Sequence, residues 1–283
     1  MAENQNPNTG LVALKNALSA DSVKEQFQRM LGNKSAGFIS NIISVAQSNT
    51  KFNNVDRNSI ILAAAQAASL DLSINPNLGL AALVPYGGTC TFQLMRDGLV
   101  ELANRTGMFE YIVNECVYEG ELVEKNRFTN TYVFDETKRV SDRICGYMAA
   151  FKLTNGGTHT VYWTVEECKA HGLKYSKTFN LPSGQWATNF DAMAKKTVLK
   201  HLLKKYAPKS IEYLNKAMEI DQAAFTGTID NPQPVYVDNP NNAHRTEEVK
   251  EFQEADVVEQ QPTDAETARN NSDGTLFGDV KDK

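Results

Sequence analysis

The stretch LAALVPYGGTCTFQL, residues Leu80 to Leu94, decides the fold. Two short strand-like runs, Leu80–Tyr86 and Thr89–Leu94, are separated by Gly87-Gly88, a dipeptide typical of tight β-hairpin turns. Strands joined by so short a turn pair in antiparallel fashion. The stretch therefore predicts a β-hairpin, and the rest of the chain can be placed around it.

Helical patterns flank this hairpin on both sides. Before it, Asp21 or Ser22 can cap a helix that runs to Met30, Lys34–Gln47 predicts a second helix, and the alanine-rich Val55–Ser69 predicts a third. After it, Arg96–Thr106 predicts a helix that Gly107 ends.

Short strands joined by turns follow. Strand candidates are Tyr111–Tyr118, Thr131–Phe134, Ile144–Leu153 and Thr160–Trp163, and Val165–Ala170 predicts a short helix. A last helix is predicted over Ser210–Ala224. Clustered strands with short connections favour the α+β class, here an antiparallel β-meander packed with helices in one domain.

Length and composition set the domain boundaries. The chain has 283 residues, of which 41% are hydrophobic, enough for one sizeable core. From Phe225 onward large apolar residues are scarce, which predicts a disordered acidic tail over residues 225–283. The folded domain is predicted over residues 21–224, with a loosely ordered N-terminus over residues 1–20.

Several classes of protein are disfavoured. The N-terminus lacks the basic and apolar regions of a secretory signal, and the longest apolar run, Ile60–Ala65, is too short to span a membrane. The cysteines are widely spaced and form no CxxC pair, which predicts reduced thiols in a cytoplasmic protein rather than a zinc site. They are Cys90, Cys116, Cys145 and Cys168.

Charge is distributed very unevenly. The segment Lys169–Lys209 contains nine lysines and one acid, Asp191, for a local net charge of +8 in a chain of net charge −5. The last 59 residues contain thirteen acids and five bases. A concentrated basic segment is typical of a protein that binds a polyanion, and nucleic acid is the commonest such partner.

The basic segment ends in a predicted helix, WATNFDAMAKKTVLKHLLKKYAP, residues Trp186 to Pro208. At about 100° per residue, Lys196, Lys200 and Lys204 form one ridge, while Lys195 lies among the apolar residues. An ordinary solvated face is the simplest explanation of such a ridge. Since glutamates at i±4 are missing, an anion-binding ridge is the preferred interpretation.

Five motifs follow one another along the chain: SIILAAAQAASLDLSINP (Ser59–Pro76), LVPYGGTCTFQL (Leu83–Leu94), GLVELANRTG (Gly98–Gly107), VYEGE (Val117–Glu121), and Trp186 followed by DAMAKKTVLKHLLKKYAP (Asp191–Pro208). This succession resembles the RecT family of phage single-strand annealing proteins. One departure precedes Gly98: many relatives have an aromatic residue next to the base there, whereas this chain has Met95 beside Arg96.

The resemblance implies a function without a catalytic centre or cofactor. The family binds single-stranded DNA, oligomerises on it as a ring or helical filament, and anneals it to a complementary strand without nucleotide hydrolysis. It implies a phage recombination protein in the bacterial cytoplasm, holding single-stranded and annealed duplex DNA beside a RecE-like 5′-to-3′ exonuclease. The resemblance says nothing about the acidic tail. From its charge, the tail can compete with DNA for the basic groove, or it can recruit a partner such as a host single-strand-binding protein.

Phosphate contacts are expected from basic residues, because a protein that anneals must leave the Watson–Crick edges free. The candidates are Lys195, Lys196, Lys200, Lys204, Lys205, Arg96, Arg105, Arg127, Lys138, Arg139, Arg143, Lys174 and Lys177. Base stacking is expected from aromatic residues near the basic segments, with core packing as the alternative. These candidates are Trp186, Tyr86, Phe92, Phe179 and Tyr175.

Two other functions stay open. An ATP-driven motor is disfavoured because no GxxxxGK[ST] loop occurs in the sequence. A metal-dependent nuclease would need a carboxylate cluster, for which Glu119, Glu121 and Glu124 are the nearest candidates, with Glu166 and Glu167 further along. A non-catalytic phage adaptor or structural protein is the second alternative.

Overall fold

The computed structural model describes residues 7–126, 128–129 and 131–236. Its helices are α1 (Pro7–Ser19), α2 (Asp21–Leu31), α3 (Ser35–Ser48), α4 (Arg57–Ser69), α5 (Arg96–Asn104), α6 (Val165–Tyr175), α7 (Gln185–Thr188), α8 (Phe190–Tyr206) and α9 (Glu212–Ile220). Its strands are β1 (Ala81–Tyr86), β2 (Thr89–Leu94), β3 (Phe109–Tyr118), β4 (Leu122–Asn126), β5 (Thr131–Phe134), β6 (Ile144–Leu153), β7 (Thr158–Thr164), β8 (Ala224–Gly227) and β9 (Pro232–Val235).

The α+β class is confirmed, because every strand pair in the described residues is antiparallel. The strands divide into three sheets instead of one meander: β1-β2-β8-β9, β3-β6-β7 and β4-β5. Strand β4 was absent from the sequence prediction. Three of the five residues in its sequence LVEKN are charged or amide, and its pairing with β5 rather than its own apolar content makes it a strand.

The hairpin β1–β2 is anchored on the alanine-rich helix α4. Gly87 and Gly88 have φ angles of 53° and 87°, which L side chains rarely adopt. The Gly88 carbonyl accepts a hydrogen bond from the Asp56 N–H at 2.8 Å, and the Asp56 carboxylate caps α4 through the Ser59 N–H. The alanines of α4 are buried, so the helix packs closely against β2 and β8.

The N-terminus departs from the prediction of a loosely ordered segment. Residues Pro7–Ser19 form α1, which packs against α2, α3 and α4. Leu14 and Leu18 are buried in the core, and this burial stabilises a helix that has neither an acidic first turn nor a basic last turn.

The C-terminal boundary also differs from the prediction. Helix α9 ends at Ile220 rather than Ala224, and the chain then returns to the first sheet as the hairpin β8–β9. Phe225, expected to begin the tail, is 3% exposed. The rest of the predicted tail, residues 237–283, lies outside the described residues.

Candidate nucleic-acid interface

Helix α8 is the basic helix that the sequence predicts, and it lies at the centre of the fold. It packs against β3, β6 and β7 on one side and against α5, α6 and α9 on others. Val198, Leu199, Leu202 and Leu203 are buried. Because α8 has neighbours on several sides, only part of its lysine ridge reaches the surface.

The prediction of an exposed ridge is wrong for Lys196. Its ammonium lies 3.6 Å from Asp221 Oδ1, and the residue is 7% exposed. Lys200 donates to Asp221 Oδ2 at 2.7 Å and is about a quarter exposed, while the Leu94 N–H donates to Oδ1 at 2.9 Å. Asp221 stands 25 residues beyond Lys196 in the sequence, so spacing within the helix gave no sign of this pairing.

The Asp221 carboxylate is held as an anion. Burial alone would raise its pKa, but the charges of Lys196 and Lys200, with the Lys200 and Leu94 hydrogen bonds, bring the pKa below its ordinary value. Burial acts against the charge of Lys196 and lowers its pKa, which Asp221 partly restores. Since one anion faces two cations, the carboxylate is the better stabilised charge. We therefore assign Lys196 to the core and withdraw it from the phosphate contacts.

The first turn of α8 is hydrogen-bonded to the sheet, although Asp191 itself is exposed. Tyr147 on β6 donates its hydroxyl proton to Asp191 Oδ1 at 2.5 Å. Burial and this hydrogen bond raise the pKa of Tyr147. Lys195 is half-buried, and its charge acts on the thiol of Cys116 on β3. Lys195 therefore lies near β3, and the path of its stem along apolar surface stays a prediction.

The last turn of α8 carries the exposed charge. Lys204 and Lys205 are exposed, and the Lys205 ammonium lies 5.1 Å from the centre of the Tyr206 ring. Tyr206 stacks on His159 of β7 with ring centres 4.6 Å apart, and His159 in turn contacts the buried Phe151. The end of α8 therefore combines two exposed lysines with the stacked rings of Tyr206 and His159.

Trp163 on β7 lies between α6 and α8. Its ring centre is 5.2 Å from His171 of α6 and 4.9 Å from His201 of α8. His171 continues to the exposed Tyr175 at 4.6 Å, and Lys174 lies 5.1 Å from the Tyr175 ring. Burial, then His201, Lys200 and Lys174, lower the pKa of His171 to about 4. Aromatic and basic side chains thus alternate across these three elements.

The hairpin β4–β5 adds a further aromatic group. Tyr132 and Phe134 contact Tyr162 of β7 at 6.4 and 6.1 Å, and the Lys125 ammonium lies 5.4 Å from the Tyr162 ring. A side chain on Gly146 would meet the Tyr162 ring at 2.5 Å, so glycine is needed beneath it. Burial first, and then Tyr206 and Glu167 of α6, raise the pKa of Tyr132, while Lys205 lowers it, which places the hairpin near α6 and the end of α8.

Together these side chains form what we call the aromatic–basic surface. It is contributed by the hairpin β4–β5, strand β7, and the C-terminal parts of α6 and α8. Its members are Lys125, Tyr132, Trp163, His171, Lys174, Tyr175, His201, Lys204 and Lys205. Proteins hold single strands without reading sequence by binding the phosphates with lysines and by stacking the bases on aromatic rings.

Most of the predicted stacking residues lie elsewhere. Trp186 is 6% exposed and packs between Phe179 and Phe190, each 5.6 Å away, and Phe92 has no exposed surface. Tyr86 is half-buried on β1. Trp186 and Phe92 therefore belong to the core, as does Phe179, whose ring touches Gly172. Tyr175 alone joins the aromatic–basic surface.

Two predicted arginines have structural partners. Arg105 donates to the carbonyls of Leu70 and Asp71, both at 2.8 Å, and so satisfies the C-terminal end of α4. It also pairs with Glu101 at 3.0 Å. Arg96 pairs with its neighbour Asp97 at 2.5 Å. Arg105 is held as a helix cap, and Arg96 stays a half-buried candidate.

The bases of the loop after β5 are exposed but matched by acids. Arg143 pairs with Glu119 at 2.5 Å, and Arg139 pairs with Asp142 at 2.6 Å and lies over the Tyr118 ring at 3.5 Å. Lys138 and Lys177 are exposed. Arg127 lies outside the described residues. The structure does not bring the bases of this loop together with those of α6 and α8 in any described contact.

Three of the carboxylates considered for a nuclease have structural partners. Hydrogen bonds from Arg143 and then Ser141 lower the pKa of Glu119, and Glu121 accepts the Tyr118 N–H at 2.8 Å. Glu167 closes a capping box on α6 through Thr164. In the described part of the chain, no three His, Cys, Asp or Glu side chains are grouped to hold a metal ion.

Comparison with known proteins places the chain in a family. The model of the RecT family matches residues 36–237. The chain belongs to the RecT family. It is 37% identical over 255 residues to the uncharacterised protein YqaK of Bacillus subtilis (strain 168), covering 89% of this chain and 88% of YqaK. It is 29% identical over 183 residues to protein RecT of Escherichia coli (strain K12), covering 60% of this chain and 64% of that protein.

The RecT family match contains every element that builds the aromatic–basic surface. Sequence reasoning missed Trp163, Tyr132, Lys125, His171 and His201 as members of it. One signal was available: in THTVYWT, residues of odd number share one strand face, which puts Trp163 on the same face as His159. The hairpin and α6 residues are brought in by tertiary packing alone. Among the described helices, none is both long and apolar enough to cross a membrane.

Proposed function

We propose that this RecT-family protein binds single-stranded DNA on the aromatic–basic surface and anneals complementary strands in phage recombination. The observation that carries the proposal is that Lys204 and Lys205 act on His201, whose ring lies 4.9 Å from Trp163, inside the region that matches the family. Neither ATP nor a metal ion supplies the energy, because base pairing itself releases it.

The geometry suits annealing because the two kinds of side chain have separate tasks. Mobile lysine ammoniums hold phosphates and carry no sequence information, whereas rings support the faces of bases. A strand held in this way keeps its Watson–Crick edges open to a second strand. Lys195 and Lys200, both half-buried, stay candidate phosphate contacts further along α8, with Lys200 already paired to Asp221.

The assembly and partners are part of the same proposal. A homo-oligomer, as a ring or helical filament, would hold successive stretches of one strand and then the annealed duplex. The proposed setting is the bacterial cytoplasm, beside a RecE-like 5′-to-3′ exonuclease that supplies single strands. A host single-strand-binding protein is the proposed partner of residues 237–283.

The test is annealing of labelled complementary oligonucleotides with EDTA and without nucleotide. We expect duplex formation with strands of unchanged length, and slower annealing by the Lys204→Ala/Lys205→Ala variant. Strict dependence on ATP, or strands shortened when magnesium is added, would contradict the proposal. Shortened strands would favour the metal-dependent nuclease instead.

A further inference from the structure

His171 and His201 form a pair that the annealing function alone does not explain. They approach Trp163 from α6 and α8, at ring distances of 5.2 and 4.9 Å. Both are half-buried at the edge of the aromatic–basic surface rather than in the core. Packing alone does not require an imidazole at either position, because an apolar ring of similar size would fill the same space.

Every charged side chain found to act on these imidazoles is a cation. His171 is affected by His201 and Lys200 of α8 and by Lys174 of its own helix, and Tyr175 lies against its ring. His201 is affected by Lys204 and Lys205 of its own helix. From β7, the facing side chain is the uncharged Trp163. Burial first, and then these cations, lower both pKa values.

Three of these lysines, Lys174, Lys204 and Lys205, belong to the aromatic–basic surface and are proposed to bind phosphate. A DNA backbone across them adds negative charge close to both imidazoles, whereas Lys200 is already paired with Asp221. Opposite charge within a few ångströms favours the protonated imidazole. An imidazolium has two N–H donors and no acceptor, so it becomes an additional phosphate ligand.

We propose that His171 and His201 gain protons when single-stranded DNA binds, and then act as phosphate-binding residues that make the grip of the strand depend on pH. This inference rests on the proposed function. Coupling is reciprocal: if DNA raises the proton affinity of the histidines, protons raise the affinity for DNA by the same factor. Binding therefore tightens as the pH falls.

The direction and range follow from the free protein. Above the pKa of the DNA-bound form, both forms are neutral and pH has no effect. Between that value and the lowered pKa of the free form, about 4 for His171, binding takes up protons. Each fully acquired proton strengthens binding about tenfold per pH unit, because one pKa unit corresponds to about 1.4 kcal/mol.

The experiment measures affinity for oligothymidylate at constant salt between about pH 8 and about pH 5.5, the range where histidine titrates. Thymine takes up no proton there, so the pH dependence belongs to the protein. For the unmodified protein we expect affinity to rise at least about threefold over this range. The His171→Gln/His201→Gln variant should lose most of that rise. The matched control is His159→Gln, which removes the imidazole between Phe151 and Tyr206 and should keep it.

A second measurement needs no variant. Calorimetric titration of the unmodified protein in two buffers of different ionisation enthalpy gives the number of protons taken up on binding. Proton uptake near neutral pH supports the inference, and the absence of proton uptake overturns it. The inference also fails if the double histidine variant binds DNA with the pH dependence of the unmodified protein. If the Lys204→Ala/Lys205→Ala variant binds as tightly as the unmodified protein, the surface itself is misplaced, which is a separate failure.

Discussion

The carboxylate of Asp221 lies 2.7 Å from the ammonium of Lys200, and this pair joins the end of α9 to α8. Asp221 also holds Lys196 and the N–H of Leu94, so α8, β2 and α9 meet at one buried anion. This node, formed by Asp221, Lys196, Lys200 and the N–H of Leu94, fixes the position of the helix that carries Lys204 and Lys205.

Removing the Asp221 charge should strongly destabilise the fold. In Asp221→Asn two lysines, one of them almost fully buried, lose their anion, and the loss of a buried partner costs about 3–5 kcal/mol. The free energy of unfolding from urea titration measures this. The control is Asp142→Asn, an exposed acid, which should change stability by less than about 0.5 kcal/mol. Equal stability of the two variants would show that the node is dispensable.

Loss of Lys204 and Lys205 should weaken binding to all single-stranded sequences alike. Each lost phosphate contact should reduce the slope of log affinity against log salt by about 0.7. Gel shifts or anisotropy over a range of salt concentrations measure it. Lys24→Ala, on α2 and 53% exposed, removes one charge elsewhere and should leave the slope unchanged. A slope that stays constant in the double lysine variant would exclude these contacts.

The two tryptophans should report differently on DNA. In Trp186→Phe the remaining Trp163 lies at the aromatic–basic surface, so single-stranded DNA should quench its fluorescence. In Trp163→Phe the remaining Trp186 is buried between Phe179 and Phe190 and should respond little. The opposite result would return the stacking role to Trp186.

The acidic C-terminus should oppose binding at low salt. Residues 237–283 contain twelve acids and five bases, so a chain ending at Tyr236 changes its formal net charge from −5 to +2. Less repulsion of DNA should tighten binding, and the gain should fade as salt shortens the screening length, about 10 Å at 0.1 M. The truncation must follow Tyr236 because β8 and β9 complete the first sheet. Weaker binding at every salt concentration would mean that these residues contact DNA.

The histidine pair should also make the DNA-free protein sensitive to acid. The pKa of His171 is lowered from 6.5 to about 4, so the unfolded chain gains a proton first as the pH falls. Stability should therefore decrease as the pH falls through this window. His171→Gln removes that contribution, and its free energy of unfolding should depend less on pH between 6.5 and 4. Parallel pH profiles for variant and unmodified protein would contradict the assignment.

Local sequence patterns predicted the elements that are determined by their own residues. The Gly87-Gly88 turn, the Asp56-capped α4 and strand β6 lie within a residue or two of the prediction. Elements that depend on distant partners were missed: β4 exists because it pairs with β5, and β8 because it pairs with β2. For the site, the basic helix was predicted, but the burial of Lys196 depended on Asp221, which no helical periodicity reveals.

The closing of the first sheet by β8 has a consequence for synthesis of the chain. Thr91 pairs with Ala224, and the N–H of Leu94 donates a hydrogen bond to Asp221, so each contact joins residues more than 120 positions apart. Nearly the whole domain must leave the ribosome before β2 can pair with β8. Contacts of such sequence separation slow folding, because a long loop must close first. Helices α1 to α4 and the β1–β2 hairpin are thus exposed early, and the nascent chain is vulnerable to aggregation until the last hairpin emerges.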